Sequence, residues 1–477
     1  MSRSRPPSER MRDELARSDG DDVDEPIAEH EFADKLGRVA PAADAWKEHL
    51  VRKEVKHQVV TSCTAPNVAV YLRYHPAWKG CVVYDEFRED VITTRVPPWC
   101  LEDAHAQIAP GPWTDLDTGR LVAWLARNEG LEMPVGEVER GLQTAADTAR
   151  VHPVREYLRG LRWDGVARID SWLHDLLGAE AGPYASGVGS RWLISAVARV
   201  MRPGCQVDCT LILEGATGAG KTSVFRNLVP VREWYSDTPL DLSNKDSLDA
   251  LRSVWIYGLD ELDSLRKGEV TRIKNFLTQT RDRYRPPYGR RVRDYVRQNV
   301  FAGTTNEDEY LIDRTGNRRF WPVRVADVID WGRIAAVRDQ LWAEAFVRFE
   351  AGAAWHVDTQ VLRVLCTAQQ QDRTVVHPWV EIVRRWLAQP TQLELEDGRS
   401  YRSPFDVAKG VTTMDVLVHA VGMPRKDCDT RHAMQAAAAL RENGWAKSRV
   451  GVDGSRTPRF FPPPPQPPEP DDIDRGE

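Results

Sequence analysis

Cysteine is scarce in this chain, with seven in 477 residues. An odd number without paired spacing is no disulfide framework and points to reduced thiols. The one close pair, Cys205-x3-Cys209, has no second ligand pair nearby, so it reads as core cysteines and not as half of a zinc site. Long apolar runs are missing too. None approaches the ~18 residues a bilayer span needs, and no membrane partner is expected. The first ten residues lack the apolar centre of a signal peptide, so a cytoplasmic location is expected. A basic excess is absent: the net charge is −6, which makes nucleic-acid binding a matter of local patches. No internal repeat is visible, which argues against a solenoid or propeller.

What is there is an ordinary soluble composition, 42% hydrophobic and 29% charged, long enough for two to four domains. Residues 1–27 are charged and poor in large apolar side chains, and read as disordered. Residues 28–150 mix short strands and helices with no visible catalytic group. Residues 151–205 read as helical, with a third helix around Arg191. Residues 206–330 alternate strands and helices, the pattern of an α/β core. Residues 331–376 are helical again. In residues 377–462, a helix at Asp415, a longer one from Thr430 to Gly444 and a basic hairpin give a winged-helix pattern, with a plain α+β packing module as the alternative. Residues 463–477 are a Pro-rich acidic tail.

The most informative stretch follows Leu211-Ile212-Leu213, an apolar run that reads as a buried parallel strand. It leads into Gly215-x4-Gly220-Lys221-Thr222, the spacing of a phosphate-cradling P-loop. Glycine lets such a loop turn back so that successive backbone N–H groups face one anion. The following helix points its N-terminal amides at the same place. Gly215, Ala216, Thr217, Gly218, Ala219, Gly220, Lys221 and Thr222 are therefore the nucleotide-binding candidates. Lys221 would reach the β- and γ-phosphates of ATP, and the Thr222 hydroxyl would ligate Mg²⁺.

A second strand, Val254 to Leu259, ends in Asp260-Glu261. Carboxylates at the C-terminal end of a sheet strand lie where α/β folds bind ligands. Asp260 would hold the Mg²⁺ shell and Glu261 would polarise the attacking water. A third strand, Asn299 to Thr305, ends in Asn306. That residue would orient the water and sense the γ-phosphate, or simply begin a turn. Downstream, Arg314, Arg318 and Arg319 offer guanidinium forks suited to a spread phosphate charge. One of them, with Arg318 or Arg319 favoured, would act as an arginine finger from a neighbouring subunit, or pair structurally with an acid.

The segment Arg266–Arg297 holds eleven basic residues against three acidic ones, with Tyr284, Tyr288 and Tyr295 interleaved. Arg and Tyr together suit a nucleic-acid strand with stacked bases. Pro286-Pro287-Tyr288-Gly289 marks a turn, so a projecting hairpin is expected. A solvated charged face is the alternative.

Taken together, the text resembles the virulence-associated E family of phage, prophage and plasmid P-loop ATPases, close to the superfamily 3 helicases. The resemblance covers about residues 150–330. It runs through Leu161–Leu173, Glu214–Thr222, Asp260–Asp263, Ile273–Thr278, Asp282–Arg290, Gly303–Asn306 and Gly316–Val323. It implies an AAA+-like ATPase assembled as a ring, expected to be a hexamer, around single- or double-stranded DNA in a bacterial host's cytoplasm. Lys221 and Thr222 would be the Walker A pair, Asp260 and Glu261 the Walker B pair, and Asn306 the sensor. Lys274, Arg283, Arg285, Tyr288, Arg290, Arg291 and Arg293 would supply the DNA-facing segment. A separate primase often accompanies the family, and residues 28–150 contain no acidic primase triad or zinc ribbon. Replicative helicase or initiator ATPase is the leading function. A nucleotide-dependent DNA- or protein-binding switch without unwinding is the alternative. A small-molecule kinase explains neither Asn306 nor the basic segment.

Overall fold

The computed structural model describes residues 45–102, 110–241, 248–259, 267–285, 291–311, 316–375, 377–388, 392–394, 400–402, 410–452 and 455–462. The chain divides into two compact units at residues 153 and 154.

The first unit contains β1 (Arg52–Val55), β2 (Gln58–Thr61), α1 (Ala65–Tyr74), β3 (Val82–Asp85), β4 (Asp90–Thr93), α2 (Pro98–Glu102), α3 (Asp115–Glu129), α4 (Val135–Asp147) and β5 (Arg150–Val151). A three-stranded sheet runs β4-β3-β5, with β3 antiparallel to β4 and parallel to β5. Trp78, Trp124, Leu121 and Leu142 form its core. Helices α1 and α4 touch closely at Gly141, where a Cβ would come 2.6 Å from the Ala65 carbonyl oxygen, so only glycine fits.

The second unit is built on a five-stranded parallel sheet. Its strands are β6 (Thr210–Glu214), β7 (Tyr235–Ser236), β8 (Ile256–Leu259), β11 (Val300–Thr305) and β12 (Phe320–Arg324), in the order β12-β6-β11-β8-β7. Strands β6, β8 and β11 are buried throughout, as expected for a sheet covered on both faces. The helices are α5 (Pro153–Gly160), α6 (Trp172–Leu177), α7 (Pro183–Met201), α8 (Lys221–Leu228), α9 (Lys267–Leu277), α10 (Trp331–Glu350) and α11 (Gln360–Asp372). Ile273, Phe276 and Leu277 of α9 pack on Ile212, Tyr257 and Phe301 of the sheet. Elsewhere three indole N–H groups pin helix to neighbour. Trp192 donates to the Phe301 carbonyl at 2.9 Å, Trp255 to Ala196 at 2.9 Å and Trp342 to Leu228 at 2.7 Å. A buried indole with its N–H satisfied adds a large apolar area without a desolvation cost.

Helix α7 begins eight residues before Arg191, where the sequence centres it. Gly187 and Gly189 break its apolar pattern but mark close approaches. A Cβ there would lie 2.7 Å from Leu362 and 2.8 Å from the Trp172 Nε1.

Between α9 and β11 stands an antiparallel hairpin, β9 (Arg281–Tyr284) with β10 (Arg293–Val296). The last segment has its own core. Val383 and Trp386 of α12 (Trp379–Leu387) pack with Val416, Leu417, Trp445 and Phe460, and with Ala436, Ala439 and Leu440 of the helix from Thr430 to Glu442. The helix expected at Asp415 is a three-residue turn, Thr413–Asp415, continued by a π-helical turn to Ala420. The later helix is capped by Asp429, one residue before Thr430. Residues Ala446–Val452 and Ser455–Phe461 pair as the expected hairpin. Cys205 and Cys209 are free thiols, and burial pushes Cys209 up to about 12. Among the described residues no helix is long and apolar enough to cross a membrane.

Candidate functional site

Parallel register decides which residues share an edge of the sheet. Glu214 lies beside Thr305 on one side and Arg324 on the other, so the C-terminal ends of β6, β11 and β12 are level. Strand β6 sits between β11 and β12, where connections leave in opposite directions. This is the point at which open α/β sheets form a crevice.

The chain leaves β6 through Gly215, Gly218 and Gly220, with φ of 154°, 85° and 91°. All three lie in the range that side-chain-bearing residues avoid, so the glycines are there for the loop's shape. Ala216 and Thr217 are exposed, and Ala219 is buried. Helix α8 starts at Lys221, so its free amides open toward the loop. Lys221 is buried. Its ammonium donates to the Gly215 carbonyl at 2.7 Å, the Ala216 carbonyl at 2.8 Å and Asn306 Oδ1 at 2.9 Å. Two residues 85 apart in sequence thus meet at the loop mouth. Thr222 is half-buried in the first turn of α8. A lysine charge, a glycine-turned loop and a helix N-terminus are the groups from which anion sites are built.

Below the loop is a buried ionic network that sequence reading missed. Glu214 is 1% exposed. Arg373, just after α11, grips it through Nε at 2.8 Å and Nη2 at 2.9 Å, and the Tyr310 hydroxyl donates to it at 2.9 Å. Burial pulls the Arg373 guanidinium down, and its bonds to Glu214 more than reverse this and raise it. Burial, then Glu214, pushes the Tyr310 phenol well above its ordinary value. The signal was a glutamate closing an apolar run, but nothing local names a partner 159 residues away.

Strand β8 ends at Leu259, beside Gly303. Asp260, Glu261, Tyr288, Arg290 and Arg314 lie outside the described residues.

The opposite edge holds the other candidates. Phe320 pairs with Thr210, so Arg318 and Arg319 precede β12 at the N-terminal edge, about 13 Å from the loop at ~3.3 Å per residue. Arg318 is exposed beside a cleft of about 820 Å³ lined also by Cys209, Trp321 and Trp355. Arg319 is half-buried and donates to the Gly316 carbonyl at 3.2 Å.

The basic segment forms the expected hairpin, with corrections. Arg283, Arg285, Arg291 and Arg293 are exposed. Lys274 is not on this surface: it is 3% exposed, on α9, with its ammonium 5.9 Å from the Phe320 ring centre. Its aliphatic stem serves the core there. Tyr284 and Tyr295 are buried against each other at 4.6 Å, so neither offers a face to a base. Arg297 is buried in a two-pronged pair with Asp282, at 2.7 Å for both contacts, and clamps the hairpin's root. Strand alternation explains the division, since every second side chain of β9 faces inward.

The chain is similar to three solved apo structures of the NrS-1 C-terminal region, two of them of an A form. One is 13% identical with a TM-score of 0.42, over 80% of this chain and 96% of that one. The others are 12% and 11% identical with TM-scores of 0.43 and 0.44, over 80% of this chain and 96% and 95% of theirs. No curated protein matches the sequence. The family model of the virulence-associated protein E-like domain matches residues 158–375, which span both edges of the parallel sheet, the loop and the hairpin. Through these residues the chain carries a virulence-associated protein E-like domain.

Proposed function

We propose that this chain is an ATPase of phage or mobile-element DNA replication, a P-loop core of the AAA+ and superfamily 3 helicase kind. Copies would assemble into a ring that binds DNA and hydrolyses ATP between subunits. The observation that carries this reading is the convergence of Lys221 and Asn306 at the mouth of a three-glycine loop. The glycine conformations, the buried ammonium and the amides of α8 fit a triphosphate. Thr222, with Asp260 after β8, would hold Mg²⁺, which neutralises phosphate charge when bound.

Within that site Lys221 binds the β- and γ-phosphates, Glu261 polarises the attacking water and Asn306 orients it. Asn306 also holds the ammonium in place by accepting a hydrogen bond from it at Oδ1. Arg318 and Arg319 are a strand's length from their own loop, which suits delivery to a neighbour's site. The exposed hairpin arginines suit a phosphate backbone. The C-terminal core, read as a winged helix, would contact DNA or a replication partner such as a primase. Asn306→Ala is expected to lower kcat about 10- to 100-fold with a smaller change in KM, measured by steady-state phosphate release.

The test of the whole reading is ATP turnover of the full chain with and without single-stranded DNA. Turnover should rise with DNA. An Arg283→Ala/Arg291→Ala/Arg293→Ala variant should keep basal turnover, lose the stimulation and reduce the salt dependence of DNA binding by a log–log slope of about 2. Turnover indifferent to DNA would move the assignment to a nucleotide-dependent switch. No turnover with tight nucleotide binding would remove hydrolysis from it.

A further inference from the structure

The connection from β12 to α10 passes along the outside of the loop and is stitched to it. The Val325 amide donates to the Glu214 carbonyl at 2.9 Å, and the Ile329 amide donates to Ala219 at 3.1 Å. Val325 and Ile329 turn inward and are buried. Two other large apolar side chains of the same stretch do not. Val328 is 85% exposed and Trp331 is 52% exposed. The Trp331 Cδ1 lies 3.8 Å from where a Cβ on Gly220 would stand, beside the Ile329 carbonyl oxygen at 3.7 Å. The indole therefore stands at the rim of the loop, next to the residue that precedes Lys221.

An indole left half in water beside an anion pocket forgoes much of the apolar burial that a tryptophan usually contributes. Trp342, on the same helix, is fully buried with its N–H bonded. The first turn and the middle of α10 thus use tryptophan differently, one to present a flat face and one to pack. A nucleotide supplies the matching ligand, since its phosphates would lie in the loop and its base must leave the loop mouth. An aromatic face there holds a base by stacking, worth roughly 5- to 150-fold in affinity. Val328 adds a second apolar surface on the same short connection.

We infer that Trp331, flanked by Val328, is the platform on which the purine ring of the bound nucleotide stacks. This rests on the phosphate-loop reading and adds to it the group that distinguishes a nucleotide from bare phosphate.

The test is calorimetric titration of the full chain with ADP and, as a probe without a base, with inorganic tripolyphosphate. Trp331→Ala should weaken ADP about 30-fold, the middle of the stacking range, and leave tripolyphosphate unchanged. Trp331→Phe, which keeps a flat ring, should recover most of the ADP affinity. Unchanged ADP affinity in Trp331→Ala would overturn the platform. So would an equal loss for both ligands, which would mean that the indole shapes the loop itself or is covered by a second copy of the chain. Failure of the wild type to bind either ligand, or indifference of both to Lys221→Ala, would overturn the loop reading and the platform with it. Tripolyphosphate binding that depends on Lys221 while Trp331→Ala is silent separates the two failures.

Discussion

Lys221→Ala is expected to lower ATP turnover by at least about a hundredfold at saturating ATP. The ammonium is the one described cation that the fold inserts into the loop, and it is buried there among the Gly215 and Ala216 carbonyls and Asn306. Removing a preorganised donor from developing phosphate charge costs on the order of 10²–10³ in kcat, about 3–4 kcal/mol. Lys221→Arg should not rescue it. The guanidinium is a wide planar fork, and Lys221 is buried at the start of α8 with its ammonium bonded to three oxygens. A variant with more than a tenth of wild-type turnover would mean that hydrolysis happens elsewhere. Circular dichroism of the variant guards against a trivial loss of fold.

The second large effect is on stability. Arg373→Ala leaves Glu214 inside the protein without its bidentate partner, and breaking such a pair costs about 3–5 kcal/mol. Thermal melting should fall by roughly 10 °C, taking a few degrees per kcal/mol for a body of this size. Glu214→Ala should cost a similar amount, because it strands the guanidinium and leaves Tyr310 without its acceptor. Replacing both partners with apolar residues, Glu214→Leu with Arg373→Met, should recover most of the loss. A drop below about 1 kcal/mol for either single change would mean that water reaches the pair and screens it. Because Glu214 immediately precedes Gly215, the single variants should also bind nucleotide more weakly than their melting shift alone explains.

The parallel strands and the loop were legible because their signals are local. A strand buried on both faces reads as an unbroken apolar run, and a loop with three left-handed turns has to spend glycines. Asn306 was legible by its position after such a run. The hairpin was legible as a charge excess, but its interior was not. Composition counts Lys274 and Arg297 as surface, whereas the fold uses one for its aliphatic stem and the other for a buried pair with Asp282. The start of α7 was hidden because glycines that let helices approach look like helix breakers until Leu362, Trp172 and Leu173 are seen against them. Glu214 and Arg373 meet only through the sheet's topology. Trp331 carries no signal of its own, since exposure is not written in a residue type.

Strand β11 joins the two edges of the sheet directly. Its first residue follows the hairpin's root by three residues, and its last immediately precedes Asn306. The root is riveted by Arg297 to Asp282 and to the Phe276 and Gln279 oxygens, and the strand is hydrogen-bonded to β6 and β8 on its two sides. A segment held this way is tied to a neighbour on each side along its length. A displacement of the hairpin along the strand axis would have its shortest route to Asn306, and through Asn306 to the Lys221 ammonium, along this one strand.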